Sequence, residues 1–172
     1  MTVLNLGCAD DHHADAINVD ANPAADPDVL ADLSEPWPFT SDSIEHIRAY
    51  HVLEHLPSVA HALSEAARVL VPYGTLEVRW PVGMNERADP DHKHTWVWDT
   101  PEMYTGARQW DTDLPLRVEH RDVSLHSHAP GVWSFPHQKL LSAALSHFGP
   151  GRWAFDQPVT SGEFTVVFRH EP

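Results

Sequence analysis

The stretch VLNLGCADD, residues 3–11, decides the fold. Four apolar-rich residues, enough for a short buried strand, run directly into Gly7-Cys8-Ala9 and then into two aspartates. Three further segments repeat the plan: INVD at 17–20, DVLADL at 28–33 and AYHVLEHL at 49–56. The four runs end in small or polar residues, namely Gly7-Cys8-Ala9, Asp20, Asp32 and His51. Short apolar runs separated by polar loops are the pattern of strands buried in a parallel sheet. Ligands of such sheets sit outside the carboxyl ends of the strands. Asp20 closes the second run, where one carboxylate can accept from both hydroxyls of a ribose. The pattern implies a nucleoside-containing ligand held at the sheet edge.

Working outward, strands are expected at 2–6, 16–19, 28–31, 45–50 and 75–80. Only nine residues, 7–15, separate the first two. That is too few for the crossover helix a parallel pair usually needs, so this crossover is expected to shrink to a turn. Residues 21–27 read as a turn-rich connection, 34–39 as a loop stiffened by proline, and Asp42 as the start of a short helical turn. Val59, Leu63, Ala66, Ala67 and Leu70 follow the 3–4 spacing of one buried face, which predicts a helix over 58–71. Val71-Pro72-Tyr73-Gly74 ends it. From Pro81 to about Gly131 the chain is polar, aromatic and rich in histidine, with a short helix near Pro101–Tyr104 and a strand near Leu116–Leu125. Phe135–Phe148 predicts a second helix, and Trp153–Phe155 with Phe164–Phe168 are expected to close the sheet as an antiparallel pair.

Several pieces, in order, carry a family resemblance: Leu4-Asn5-Leu6-Gly7-Cys8, Asn18-Val19-Asp20, Asp32-Leu33, Pro38-Phe39 and His51-Val52-Leu53-Glu54-His55. Glu65-Ala66-Ala67-Arg68-Val69-Leu70 and Gly74-Thr75-Leu76 continue the series. Together they resemble the core of class I S-adenosylmethionine-dependent methyltransferases, in particular the type 11 methyltransferase domain. The resemblance covers roughly residues 2–82. It implies an α/β fold with a Rossmann-like, mostly parallel sheet, an antiparallel C-terminal strand pair and a shortened first crossover. One domain is expected over residues 1–172: a cofactor-binding core at 2–82, a cap and acceptor loop at 83–134, and a closing helix and strands at 135–172.

The resemblance also implies chemistry. S-adenosylmethionine is the expected cofactor, contacted by Gly7, Cys8, Ala9, Asp20, Asp32, Leu33 and His51. Asp32-Leu33 would meet the adenine, and the His51–His55 stretch the methionine end. Ala9 stands where the family usually carries a second glycine, which narrows both close backbone approach and positive φ. Asp89-Pro90-Asp91-His92 resembles a D-P-x-H element that leads into an acceptor lid, so Asn85, Arg87, Trp96 and Trp98 are the expected acceptor contacts. The implied reaction is methyl transfer to a small-molecule or glycan-like acceptor, with His51, His55 or His92 as base. The alternative is a non-catalytic binding or assembly protein that keeps the fold.

His51–His55 also matches H-x-x-E-H, a metalloprotease pattern that needs both histidines on one face of a long helix. Pro57 follows too closely for that, and no metal is expected. The 14 histidines are otherwise scattered over loops. Net charge is −14, with 25 acidic against 11 basic residues, of which only Lys93 and Lys139 are lysines. This points to a small, halophilic, haloarchaeal protein whose self-repulsion is screened by salt, and it argues against a duplex nucleic acid partner. The single cysteine, Cys8, and the absence of any run of 18 apolar residues point to a reducing, cytoplasmic setting with no membrane span.

Overall fold

The computed structural model describes residues 1–83, 89–106, 112–126 and 161–171. Seven strands form one sheet: β1 (Val3–Leu6), β2 (Ile17–Asp20), β3 (Val29–Leu30), β4 (Ile44–Tyr50), β5 (Leu70–Gly83), β6 (Leu116–His126) and β7 (Ser161–His170). Their order is β3-β2-β1-β4-β5-β7-β6. The first five run parallel to one another, whereas β7 pairs antiparallel with both β5 and β6. The expected Rossmann-like architecture is therefore the observed one.

The shortened first crossover has a clear physical basis. Asn5 on β1 and Asn18 on β2 stand in register, and both are buried. Asn5 Nδ2 donates to the Asp11 carbonyl at 2.7 Å and to Asn18 Oδ1 at 3.1 Å. Asn18 Oδ1 also accepts from the His13 backbone N–H at 2.9 Å. Two interior amides thus satisfy the loop's backbone groups from below, a job that a helix would otherwise do for itself.

The one α-helix among the described residues, α1 (Val59–Val69), starts where Ser58 accepts from the His61 N–H at 3.1 Å. Its buried face comprises Val59, Ala62, Leu63, Ala66, Ala67 and Val69. Glu65 and Arg68 pair at 2.7 Å on this helix and clamp the preceding loop. Glu65 accepts from the Trp37 N–H at 2.7 Å, and Arg68 donates to the carbonyls of Phe39 and Trp37.

Four expectations change. The strand that carries residues 164–168 closes the sheet against a partner not expected for it, β6, with Phe164 opposite Val123. A ten-residue strand finds a full-length partner in the eleven residues of β6. Asp42 forms a turn at φ 55 rather than opening a helical turn. The Val71–Gly74 turn is absorbed as an irregularity in a single strand that begins directly after α1, with Tyr73 at φ 66. Trp96, expected on an acceptor lid, is 1% exposed. It stacks on Trp80 at 4.4 Å and 7°, because a flat indole recovers more burial against another indole than against solvent. The helix expected at 135–148 and the strand at 153–155 lie outside the described residues, as do Asn85 and Arg87. Among the described residues no helix is long and apolar enough to cross a membrane.

Candidate active site

A cleft opens at the carboxyl ends of β1, β2 and β4. Gly7, Asp20, Asp32, Leu33 and His51 all line it, together with Ala21, Val52, His55 and Leu56. The strand ends put them there: Gly7 follows β1, Asp20 ends β2 and His51 follows β4. Gly7 adopts φ +64, and a Cβ at this position would fall 2.5 Å from Val52 Cγ2. Glycine is required on both counts.

The Asp20 carboxylate is aimed by two backbone donors. Ala9 N–H donates to Oδ2 at 2.9 Å and Asn22 N–H to Oδ1 at 2.8 Å. Ala9 reaches this position at φ 42, in the left-handed region. An alanine in this region carries strain of about 1–2 kcal/mol that a glycine would not. Asp32 Oδ1 accepts from both the N–H and hydroxyl of Ser34, at 2.8 and 2.7 Å. These bonds hold the Asp32 carboxyl below the usual carboxylate range. Its neighbours serve other ends. Asp28 accepts from Asn18 N and Nδ2 at 2.8 and 2.9 Å, and Asp26 forms the left-handed cap of the turn at Pro23–Ala25.

Cys8 and Ala9, expected cofactor contacts, are not in the cleft lining; their backbone N–H groups donate to the Val19 carbonyl and the Asp20 carboxylate. Cys8 is buried, with Sγ 3.8 Å from His12 Nε2. Burial, followed by the charge of Asp20, pushes its thiol pKa up.

The opposite wall is ionic. His51 sits at φ 53, and its N–H donates to the Arg79 carbonyl at 3.0 Å. Its Nε2 lies 2.9 Å from Glu163 on β7, and its Nδ1 lies 3.6 Å from Glu54. The hydrogen bond to Glu163, followed by the nearby Glu54 carboxylate, raises the imidazole pKa to about 9. A left-handed histidine wedged between two carboxylates is a strained arrangement of the kind found at functional sites.

The motif that resembles H-x-x-E-H folds as one 3-10 turn, Leu53–His55, with Glu54 buried. No long helix presents His51 and His55 side by side. The segment after β5 returns to this turn instead. Lys93 N–H donates to the Glu54 carbonyl at 2.8 Å, and Lys93 Nζ to the His55 carbonyl at 2.6 Å. His94 Nε2 donates to the Leu56 carbonyl at 2.9 Å. The His92 ring consequently stands 4.8 Å from that of His55, edge to face. Of the expected acceptor contacts, Trp98 packs on Phe164 at 5.6 Å, away from the cleft lining, and Trp96 belongs to the core.

Sequence reasoning missed Ala21 and Leu56 in the cleft lining, and Glu163 as the partner of His51. Glu163 is 112 residues from His51, and no sequence signal joins them.

Residues 5–78 match the family model described as a methyltransferase domain. No match was found among curated proteins. Solved structures share the fold. A Bacillus halodurans protein, named provisionally as a methyltransferase, has a TM-score of 0.67 at 15% identity, over 99% of this chain and 92% of its own. A SAM-dependent methyltransferase from Archaeoglobus fulgidus has a TM-score of 0.59 at 15% identity, over 98% and 85%. A structure of the complex between the Haloferax volcanii Trm112 methyltransferase activator and its provisionally named methyltransferase matches at 0.56 and 16%, over 99% and 83%. Residues 5–78 thus resemble a methyltransferase domain, and the solved structures show a shared fold. The donor set fits S-adenosylmethionine: Asp20 offers a pre-aimed carboxylate for a ribose diol, and Asp32 an ionised acceptor for an amine.

Proposed function

We propose that this protein transfers a methyl group from S-adenosylmethionine to a small-molecule or glycan-like acceptor. The observation that carries the reading is the Asp20 carboxylate, fixed at the cleft by the N–H groups of Ala9 and Asn22. When bound, S-adenosylmethionine supplies a methyl already activated on a sulfonium. The chain's own task is then mainly to position the acceptor and remove its proton.

Asp20, Asp32, Leu33 and Gly7 hold the nucleoside side, with the Cys8-Ala9 backbone completing the loop. His51 has a carboxylate facing each ring nitrogen. That geometry makes it an orienting group rather than the base. His55 lines the cleft and stands beside His92, so this pair supports proton removal from an oxygen or nitrogen acceptor. Asn85 and Arg87 are the further acceptor contacts that the family resemblance implies. The acidic, lysine-poor composition supports a halophilic and cytoplasmic protein, which sets the assay medium at high KCl.

Calorimetric titration with S-adenosylmethionine and its demethylated product tests the reading. Asp20→Ala is expected to weaken binding by about 1.5–3 kcal/mol, the scale of a charge-assisted hydrogen bond. Absence of heat at millimolar ligand favours a scaffold that has kept only the fold.

A further inference from the structure

We propose that Glu54, His55 and His92 bind one divalent transition-metal ion at the acceptor side of the cleft. This replaces the expectation of no metal, which was argued from a helical H-x-x-E-H and does not apply to a triad drawn from two segments. The potential ligand atoms of the three side chains lie within 4.8 Å of one another. Two imidazole nitrogens and one carboxylate oxygen suit zinc, cobalt or iron(II), and do not suit magnesium or calcium, which take oxygen ligands. A tetrahedral ion with bonds of about 2.0–2.2 Å holds its ligands about 3.4 Å apart. Inward movement of the two imidazoles by roughly 1 Å closes the cage around such an ion.

Glu54 is the second observation. It is 0% exposed, yet neither carboxylate oxygen makes a hydrogen bond. Among the described residues its ionic neighbour is His51 Nδ1 at 3.6 Å, beyond hydrogen-bond reach. Burying a carboxylate without hydrogen bonds is costly. An ion on that oxygen removes the cost.

The triad is also held together in advance. Three hydrogen bonds tie Lys93 and His94 to the backbone carbonyls of Glu54, His55 and Leu56. They fix the segment that carries His92 without using the three proposed ligand side chains. Asp89 lies 3.7 Å from His92 Nε2, beside the ring, where a carboxylate commonly orients a ligating imidazole. Three protein ligands leave a fourth position open, as catalytic zinc sites do. Since His55 lines the cleft, that position is reachable from it. Binding of the ion stands independently. Its use in polarising an acceptor oxygen rests on the methyl-transfer reading.

The test uses untagged full-length protein, stripped with a chelator and titrated with Zn²⁺ by calorimetry and with Co²⁺ by visible absorption. One ion per chain with a Kd of about 1 μM or tighter is expected, with the intense visible bands of a low-coordinate cobalt site. His92→Ala and Glu54→Gln should each weaken binding about 100-fold. His12→Ala, which alters the separate Cys8–His12 contact, should leave it unchanged. Should Glu54→Gln unfold, as circular dichroism would report, His92→Ala alone decides. No saturable binding at about 100 μM Zn²⁺, or binding lost in His12→Ala and kept in His92→Ala, overturns the site. S-adenosylmethionine is titrated in parallel. Metal bound without cofactor binding defeats the methyl-transfer reading and leaves the ion site standing. Cofactor bound without metal does the reverse, and leaves His55 and His92 to act without an ion.

Discussion

The two walls of the cleft are built on opposite plans. The wall of Gly7, Asp20 and Asp32 comes from one continuous third of the chain, and its carboxylates are aimed by backbone N–H groups or by the adjacent Ser34. The wall of His51, Glu54, His55 and His92 draws on β4, a 3-10 turn, the segment after β5 and Glu163 of β7, and its side chains are held by one another. Backbone donors are supplied by the fold whatever the neighbouring side chains are. Side-chain partners must each be present and correctly placed. The first wall suits a ligand of constant shape, and the second can be re-specified by changing one loop.

That contrast can be broken by substitution. The largest expected effect is on turnover. His92→Ala should lower it about 10²–10⁴-fold once an acceptor is found, with cofactor affinity nearly unchanged. A screen for methyl uptake into glycans and small metabolites supplies the acceptor. Equal losses in cofactor binding and turnover would show that the walls are not separable.

Gly7→Ala acts on the other wall and on the fold itself. It combines a left-handed φ with a Cβ 2.5 Å from Val52 Cγ2. A loss of stability of about 2–4 kcal/mol is expected, read as a lowered denaturation midpoint. If Val52→Ala in the same chain recovers part of the loss, the clash with Val52 is its cause.

Asp20→Ala should show the mirror image of His92→Ala, with the loss of about 1.5–3 kcal/mol confined to cofactor binding and the Zn²⁺ titration unaffected. The smallest effect is expected for Ala9→Gly. Relief of the left-handed alanine at φ 42 should stabilise the folded chain by about 1 kcal/mol before the extra backbone freedom of glycine is subtracted. A drop in melting temperature would mean that alanine is not strained there.

The fold was legible because its signals are local. Apolar runs of strand length, a helix with 3–4 spacing and the spacing of Gly7, Asp20 and Asp32 can all be read along the chain. The weak points were those where partners are distant. Residues 164–168 were read as a strand, but their pairing with 116–126 is a choice among several β segments that only packing makes. Trp96 looked like a binding residue because it lies in a polar stretch. Its indole is buried by Trp80, which sits 16 residues earlier on β5.

The candidate site divides along the same line. The sequence by itself determined the wall of Gly7, Asp20 and Asp32, since the ends of consecutive parallel strands must gather at one edge of the sheet. It also marked His51, His55 and His92 as residues of interest. Tertiary structure decided what each of them faces. The 3-10 turn buries Glu54, β7 brings Glu163 to His51, and three hydrogen bonds from Lys93 and His94 to backbone carbonyls bring His92 to His55. Such contacts join residues tens of positions apart, and their energies depend on burial and geometry that no local pattern encodes. The acidic, histidine-rich sequence could supply the groups, and only the folded sheet could decide which of them meet.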